Sequence, residues 1–233
     1  MSAEPIAPRD RRAALARACG ALKVFPLHGG AILPGTPTPF HIFEPRYRQL
    51  VADALAGDRV LAVPALVSRS GATEQRAALR PVCGAGLIEA EERYPDGRFD
   101  IVVRGVARVR LGAELEAREG RLYREFHAEI LDDVYPPGGP EALAPQVEAL
   151  RQIVYDLSTR LPAESGASQL AEAVAQLKDP SAIVDIVTAA AVSDPGTRQE
   201  VLEELDVARR LEKVLEEVAG VVLVLSRGRN PKV

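Results

Sequence analysis

The side chains able to do chemistry in this chain are few and scattered. There are three histidines, His28, His41 and His127, and none belongs to an HExxH or any other helical ligand pair. His41 falls in an alternating stretch and His127 among charged neighbours, so both read as structural. Cys19 and Cys83 form no CxxC pair and have no histidine at metal spacing. They imply neither a zinc site nor a disulfide framework, and we expect reduced thiols in a cytosolic protein. A phosphate-binding loop needs Gly-rich backbone ahead of Lys-Ser or Lys-Thr, and no glycine here is followed by lysine. Gly84-Ala85-Gly86 lacks the third glycine of a dinucleotide fingerprint and lies within a strand, where small residues permit close packing. No Gly-x-Ser-x-Gly elbow occurs. The residues therefore predict no catalytic site, no cofactor and no metal.

One basic constellation remains. Arg104, Arg108 and Arg110 alternate along one face of a strand, as a phosphate-binding surface would require. A net charge of −4 and a pI near 5.6 argue against a nucleic-acid footprint. Glu89, Glu125 and Glu129 are expected on adjacent strands of the same face, where they would neutralise the arginines. No aromatic residues interleave to give a stacking platform. RNA binding is the lesser reading of this face.

The elements that must position these residues change character along the chain. The 233 residues are 47% hydrophobic and 27% charged, a globular profile, with only 4% aromatic, so the core must be aliphatic. Residues 1–20 carry Arg9, Arg11, Arg12 and Arg17 without the apolar centre of a signal peptide, and read as an N-terminal extension. The longest apolar run, Val218 to Leu225, is too short to span a bilayer. Residues 21–134 hold short strand-like runs. Tyr135 to Pro145 packs four prolines and two glycines into eleven residues and reads as a linker. Residues 146–233 turn helical in period.

In the first part, Val24–Leu27, Thr38–Phe43 and Arg59–Val67 predict strands. Pro45 opens a helix with Tyr47, Leu50, Val51, Ala54 and Leu55 on one stripe, and Gly57 is its expected left-handed stop. Asp96-Gly97 predicts a two-residue hairpin turn. That register sets Glu89 opposite Arg104, Arg93 opposite Asp100 and Ala90 opposite Val103. Ile101, Val103, Gly105, Ala107, Val109 and Leu111 then share one face. A last strand, Arg121–Leu131, should bury Phe126, Ala128 and Ile130 and expose Glu125, His127 and Glu129. Many short strands with one crossing helix predict a small β barrel or rolled sheet. Helices are expected near 141–160, 164–178, 181–192 and 197–226, the last broken at Asp206. Leu211, Val214, Leu215, Val218, Val222 and Leu225 form its seam, a candidate homo-oligomer surface. The fold class is thus α+β, a small barrel followed by a helical bundle.

Phe25-Pro26-Leu27-His28, Leu33-Pro34-Gly35 and His41-Ile42-Phe43-Glu44-Pro45-Arg46-Tyr47-Arg48 closely resemble the opening of the Lon protease N-terminal domain family. The likeness continues through Arg104–Val109, Tyr123-Arg124-Glu125, Leu177-Lys178-Asp179-Pro180 and Gln199–Leu215, and covers residues 22–226 in order. It implies a PUA-like β barrel followed by a helical bundle. It also implies a substrate-recognition role, holding unfolded or misfolded polypeptide ahead of ATPase and Ser-Lys protease domains. Those domains would begin where this sequence stops, so no catalytic residue carries over. Leu33 stands where the family often has Phe. The expected partner is unfolded polypeptide or another protein, not a membrane. The alternatives are a scaffold for one folded partner or small molecule, or an RNA-binding PUA-like domain. The candidate polypeptide contact is the loop with Ile32, Leu33 and Pro34, whose opposite reading is that Ile32 and Leu33 fold inward and close one end of the barrel.

Overall fold

The computed structural model describes residues 8–67 and 77–228. These divide into two compact units, Met1–Asp132 and Asp133–Val233.

The first unit is a six-stranded sheet rolled on itself, with two helices. Its strands are β1 (Leu22–Val24), β2 (Pro37–Ile42), β3 (Val60–Val63), β4 (Val82–Arg93), β5 (Phe99–Glu114) and β6 (Arg124–Leu131). The order is β2-β5-β4-β3-β1-β6, and a further β5–β6 pairing closes five strands into a ring with β2 outside it. Among these described strands only β1 and β3 pair in parallel. The length of β5 makes the closure: its first half pairs with β2 and its second half with β6. The small barrel expected from the sequence is therefore present.

Two apolar clusters fill this unit. One draws on all five ring strands, with Leu22, Val60, Leu87, Val109 and Phe126 among its members. The other gathers Ile42, Leu61, Val63, Ile88, Phe99, Ile101 and Val103 around the helix α2 (Pro45–Leu55). Every residue of β3 is buried because its alternate side chains enter different clusters, which is why Val60–Val63 reads as a continuous apolar run. The helix α1 (Pro8–Ala18) seats Ala14, Leu15 and Ala18 in the ring cluster. Residues 8–18 of the expected extension are thus a packed element. Its buried positions are mostly alanine, whose small side chains gave the sequence little periodic signal.

Three local expectations are corrected. The hairpin is closed by Pro95-Asp96-Gly97, with Tyr94 N–H donating to Arg98 O and Gly97 N–H to Tyr94 O, both at 2.9 Å, and Gly97 at φ +84°. A three-residue loop with a left-handed last residue displaces the two-residue turn and shifts the register by one. Arg93 now faces Phe99, Glu92 faces Asp100 and Ala90 faces Val102. A bulge between Ile88 and Ala90 then lifts Glu89 out of the ladder, yet its carboxylate still takes the Arg104 Nε–H at 2.6 Å. The second correction is at the end of α2. Gly57 is not left-handed; Arg59 is, at φ +61°, held by Nε donating to Ile88 O at 2.9 Å and by an ion pair with Glu91. The third is Glu125, expected outside but buried against Arg121.

The second unit is helical: α3 (Ala144–Arg160), α4 (Ala167–Gln176), α5 (Pro180–Ala191), α6 (Pro195–Glu203) and α7 (Val207–Gly228). A 3-10 turn over Gly139–Leu143 occupies part of the expected linker. The last three starts have a local cause. Asp179 accepts from Ser181 and Ala182 N–H, Asp194 from Thr197 N–H, and Asp206 from Ala208 N–H, and Pro180 and Pro195 take first-turn positions that need no donor. Leu150, Val154, Ile183, Val187, Val201, Leu211, Val214 and Val218 lie in the core these helices share.

Candidate functional site

Ile32 and Leu33 are each 1% exposed, and Pro34 is half-buried. The predicted contact loop is therefore core, and the inward alternative holds. The cause lies in two glycines on the strands beneath. A Cβ on Gly84 would stand 1.8 Å from Ile32 O, and one on Gly105 2.0 Å from Leu33 O. The loop backbone rests directly on β4 and β5, Gly35 N–H donates to Gly105 O at 2.9 Å, and Thr36 Oγ1 donates to Leu33 O at 2.7 Å. Gly86 approaches Arg104 O and Val103 in the same way. The close packing expected of Gly84-Ala85-Gly86 is present: Gly84 admits the loop, and Gly86 admits the neighbouring strand β5.

The arginine face is compensated. Arg104 bonds Glu89 and Gly35 O, Arg110 pairs with Glu129 at 3.3 Å, and Arg108 is buried. Glu89 and Glu129 act as expected; Glu125 instead serves Arg121.

A site that the sequence did not reveal lies on the outer face of β2, β5 and β4. Registers on both sides of β5 align Pro39, Val102 and Ala90 in one cross-strand row, and His41, Asp100 and Glu92 in the next. Over them is a groove of about 500 Å³, lined by these residues together with Phe40, Glu91 and Ile101. The first row is an apolar floor. The second is a titratable rim. His41 Nδ1 lies 2.5 Å from Asp100 Oδ1, and Tyr94 donates its hydroxyl to Asp100 Oδ2 at 2.6 Å. These bonds, Tyr94's first, hold the Asp100 carboxyl below the usual range, and the same contact raises the Tyr94 phenol. Phe43, 61% exposed, stacks on His41 at 6.2 Å between centroids and extends the rim with an aromatic face. The rows follow from β2 pairing with β5 across about sixty residues, and from a register that local signals misplace by one.

The helical unit presents a different surface. Leu211, Val214 and Val218 of the α7 seam are buried, Leu215, Val222 and Leu225 half-buried, and Val221, Leu223 and Val224 exposed near the helix end. At the unit's centre Arg210 is fully buried against Asp185 at 3.1 Å and against Asp133 and Ser181. This cluster is a structural clasp: Asp185, Asp133 and Ser181 take the two terminal nitrogens of Arg210, and its buried Nε is left without a hydrogen bond. Among the described residues no group of histidine, cysteine, aspartate and glutamate could hold a metal ion, and no helix is long and apolar enough to cross a membrane.

Comparison with known proteins places this architecture. The sequence model of the ATP-dependent protease La (LON) substrate-binding domain matches residues 21–220. Lon protease 2 of Thermus thermophilus is 32% identical over 196 residues, covering 83% of this chain and 23% of that protein. The Lon protease of Salinispora arenicola is 30% identical over 192 residues, covering 82% and 22%. The chain thus spans less than a quarter of the length of these relatives. Among solved structures, the N-terminal domain of Mycobacterium avium complex Lon protease superposes with a TM-score of 0.67 at 18% identity, covering 85% of this chain and 98% of that one. The Lon N-terminal domain protein of Xanthomonas campestris gives 0.56 at 21% identity, covering 84% and 97%. The fold is theirs, the match runs through both units, and the chain belongs to the LON substrate-binding domain family.

Proposed function

We propose that this chain is a non-catalytic module of the cytoplasm that binds unfolded or misfolded polypeptide and presents it to a separate protease. The observation that carries the reading is the match of residues 21–220 to a domain described as substrate-binding. The groove on β2, β5 and β4 supplies the physical surface: an open apolar floor with a polar rim suits ligands that share exposed hydrophobicity and no fixed shape. The exposed apolar end of α7 gives the module a second contact, to another copy of itself. The convergence of His41, Asp100 and Tyr94 on one rim favours a second reading, a scaffold for one folded partner or small molecule.

The test is capture. The purified chain should retain a chemically denatured monomeric protein, ignore the same protein when native, and speed degradation of the denatured form by an added Lon protease. It should hydrolyse neither ATP nor casein. Equal retention of native and denatured forms would replace this reading with the scaffold. Hydrolysis that co-elutes with the chain and disappears with a single substitution would make it an enzyme.

A further inference from the structure

We propose that the groove on β2, β5 and β4 takes an extended polypeptide segment bearing an apolar side chain and, two residues along, a lysine or arginine. This rests on the polypeptide-binding reading and makes it specific.

The spacing comes from the sheet. The apolar row of Pro39, Val102 and Ala90 and the rim row of His41, Asp100 and Glu92 are two residues apart on all three strands. Alternate residues of a strand stand roughly 7 Å apart on one face. A segment lying extended along the groove has the same repeat, so positions i and i+2 fall on floor and rim together.

The sign comes from the charges that face the groove. Of the carboxylates in its lining, Glu92 and Asp100 stand on the groove's own face, while Glu91 sits at the alternate position and pairs with Arg59. The lining holds no lysine or arginine. Nearby cations are already engaged. Arg59 serves Glu91 and Ile88 O, Arg93 lies over the Phe99 ring and Arg104 serves Glu89. Arg98 pairs with Asp96, lies over Tyr94 and reaches His41 Nε2 at 3.5 Å, so it serves the His41 end of the rim and leaves the Glu92 end without a cation among the described residues. Glu92 has no hydrogen bond or ion pair among the described residues. A basic side chain would complete it. Strand addition to the free edge of β2 is disfavoured, because Pro37 and Pro39 have no N–H to donate. The face, not the edge, is the contact.

The experiment uses the full chain and fluorescein-labelled peptides with valine at alternate positions and lysine or glutamate two residues on. The lysine peptide should bind at least about fivefold more tightly, and the gap should narrow as salt rises. Glu92→Lys should reverse the preference, while Val102→Asp should weaken both peptides, each variant melting with wild-type cooperativity. Equal binding of the two peptides by a chain that still captures denatured protein would overturn this inference alone. Unchanged peptide affinities in Val102→Asp would remove the groove as the contact. Failure to capture denatured protein at all would remove both this inference and the reading beneath it.

Discussion

The two units solve the same problem, sealing an interior, with opposite materials. The β unit keeps most of its ion pairs in the solvent-touched shell. Arg104 and Glu89 retain 30% and 20% of their side-chain exposure, and even the enclosed Arg121–Glu125 pair keeps 9% on each side. It closes by backbone contact, with the loop around Leu33 lying on glycines 84 and 105. The helical unit instead runs a guanidinium through its centre: Arg210 and Asp185 retain 0% and 1%. A barrel wall brings main chain against main chain, and only the absence of a Cβ permits that. Helices keep their backbones apart, so a long side chain can bridge Asp133, Ser181 and Asp185 across the gap.

The largest effect should come from breaking that bridge. Arg210→Ala takes the guanidinium away from the buried Asp185, and should cost about 3–5 kcal/mol in urea unfolding followed by circular dichroism. Arg210→Met with Asp185→Leu should recover part of the loss, because the fully buried carboxylate goes together with the guanidinium, while Asp133 is 26% exposed and can be solvated. The matching change in the β unit, Arg104→Ala, should cost about 0–1 kcal/mol. Equal costs at the two sites would erase the contrast.

A middle effect tests the backbone seal. Gly105→Ala sets a methyl group against Leu33 O and should destabilise by about 1–3 kcal/mol. In the helical unit Gly220 has nothing within 4 Å of its added Cβ, so Gly220→Ala should stabilise by about 0.5–1 kcal/mol. The same substitution thus changes sign between the units. Destabilisation at both positions would mean that the glycines matter for some reason other than close approach.

The contrast also explains which features were legible in the sequence. The helical unit announces itself locally: Asp179-Pro180, Asp194-Pro195 and Asp206 mark starts within a few residues, and the structure puts α5, α6 and α7 there. The barrel strands were legible as alternation, and the buried side of β5 is the one expected, Ile101 through Leu111. What failed was mostly set by contact between distant segments, with the hairpin turn as the local exception. Asp96-Gly97 looks like a two-residue turn until Pro95 and the left-handed Gly97 are seen together. Ile32 and Leu33 look like an apolar loop until glycines more than fifty residues away admit them. The groove needed both the corrected hairpin and the β2–β5 pairing, so no local pattern contained it.

The smallest effect concerns two exposed carboxylates held low by different means. Asp194 caps α6 through its neighbours: the backbone N–H of Thr197 and then its hydroxyl, at 2.7 and 3.0 Å, hold its carboxyl below the ordinary range. Asp100 is held low by Tyr94 and His41, side chains brought to it by the hairpin turn and by β2. Both groups bind their proton less readily folded than unfolded. Each therefore contributes its stability in full above the ordinary carboxylate range, and loses it as pH falls through the lowered folded value. Asp194→Ala should accordingly differ from wild type most near neutral pH, with the two stability curves converging as the solution is acidified. Tyr94→Phe removes the larger cause at Asp100, so that carboxyl should titrate at higher pH by NMR while Asp194 stays unmoved. If Asp194 moved as well, its cap would depend on more than its own first turn. A fixed Asp100 would mean that Tyr94 does not set the charge on the groove's rim, and that His41 carries it alone.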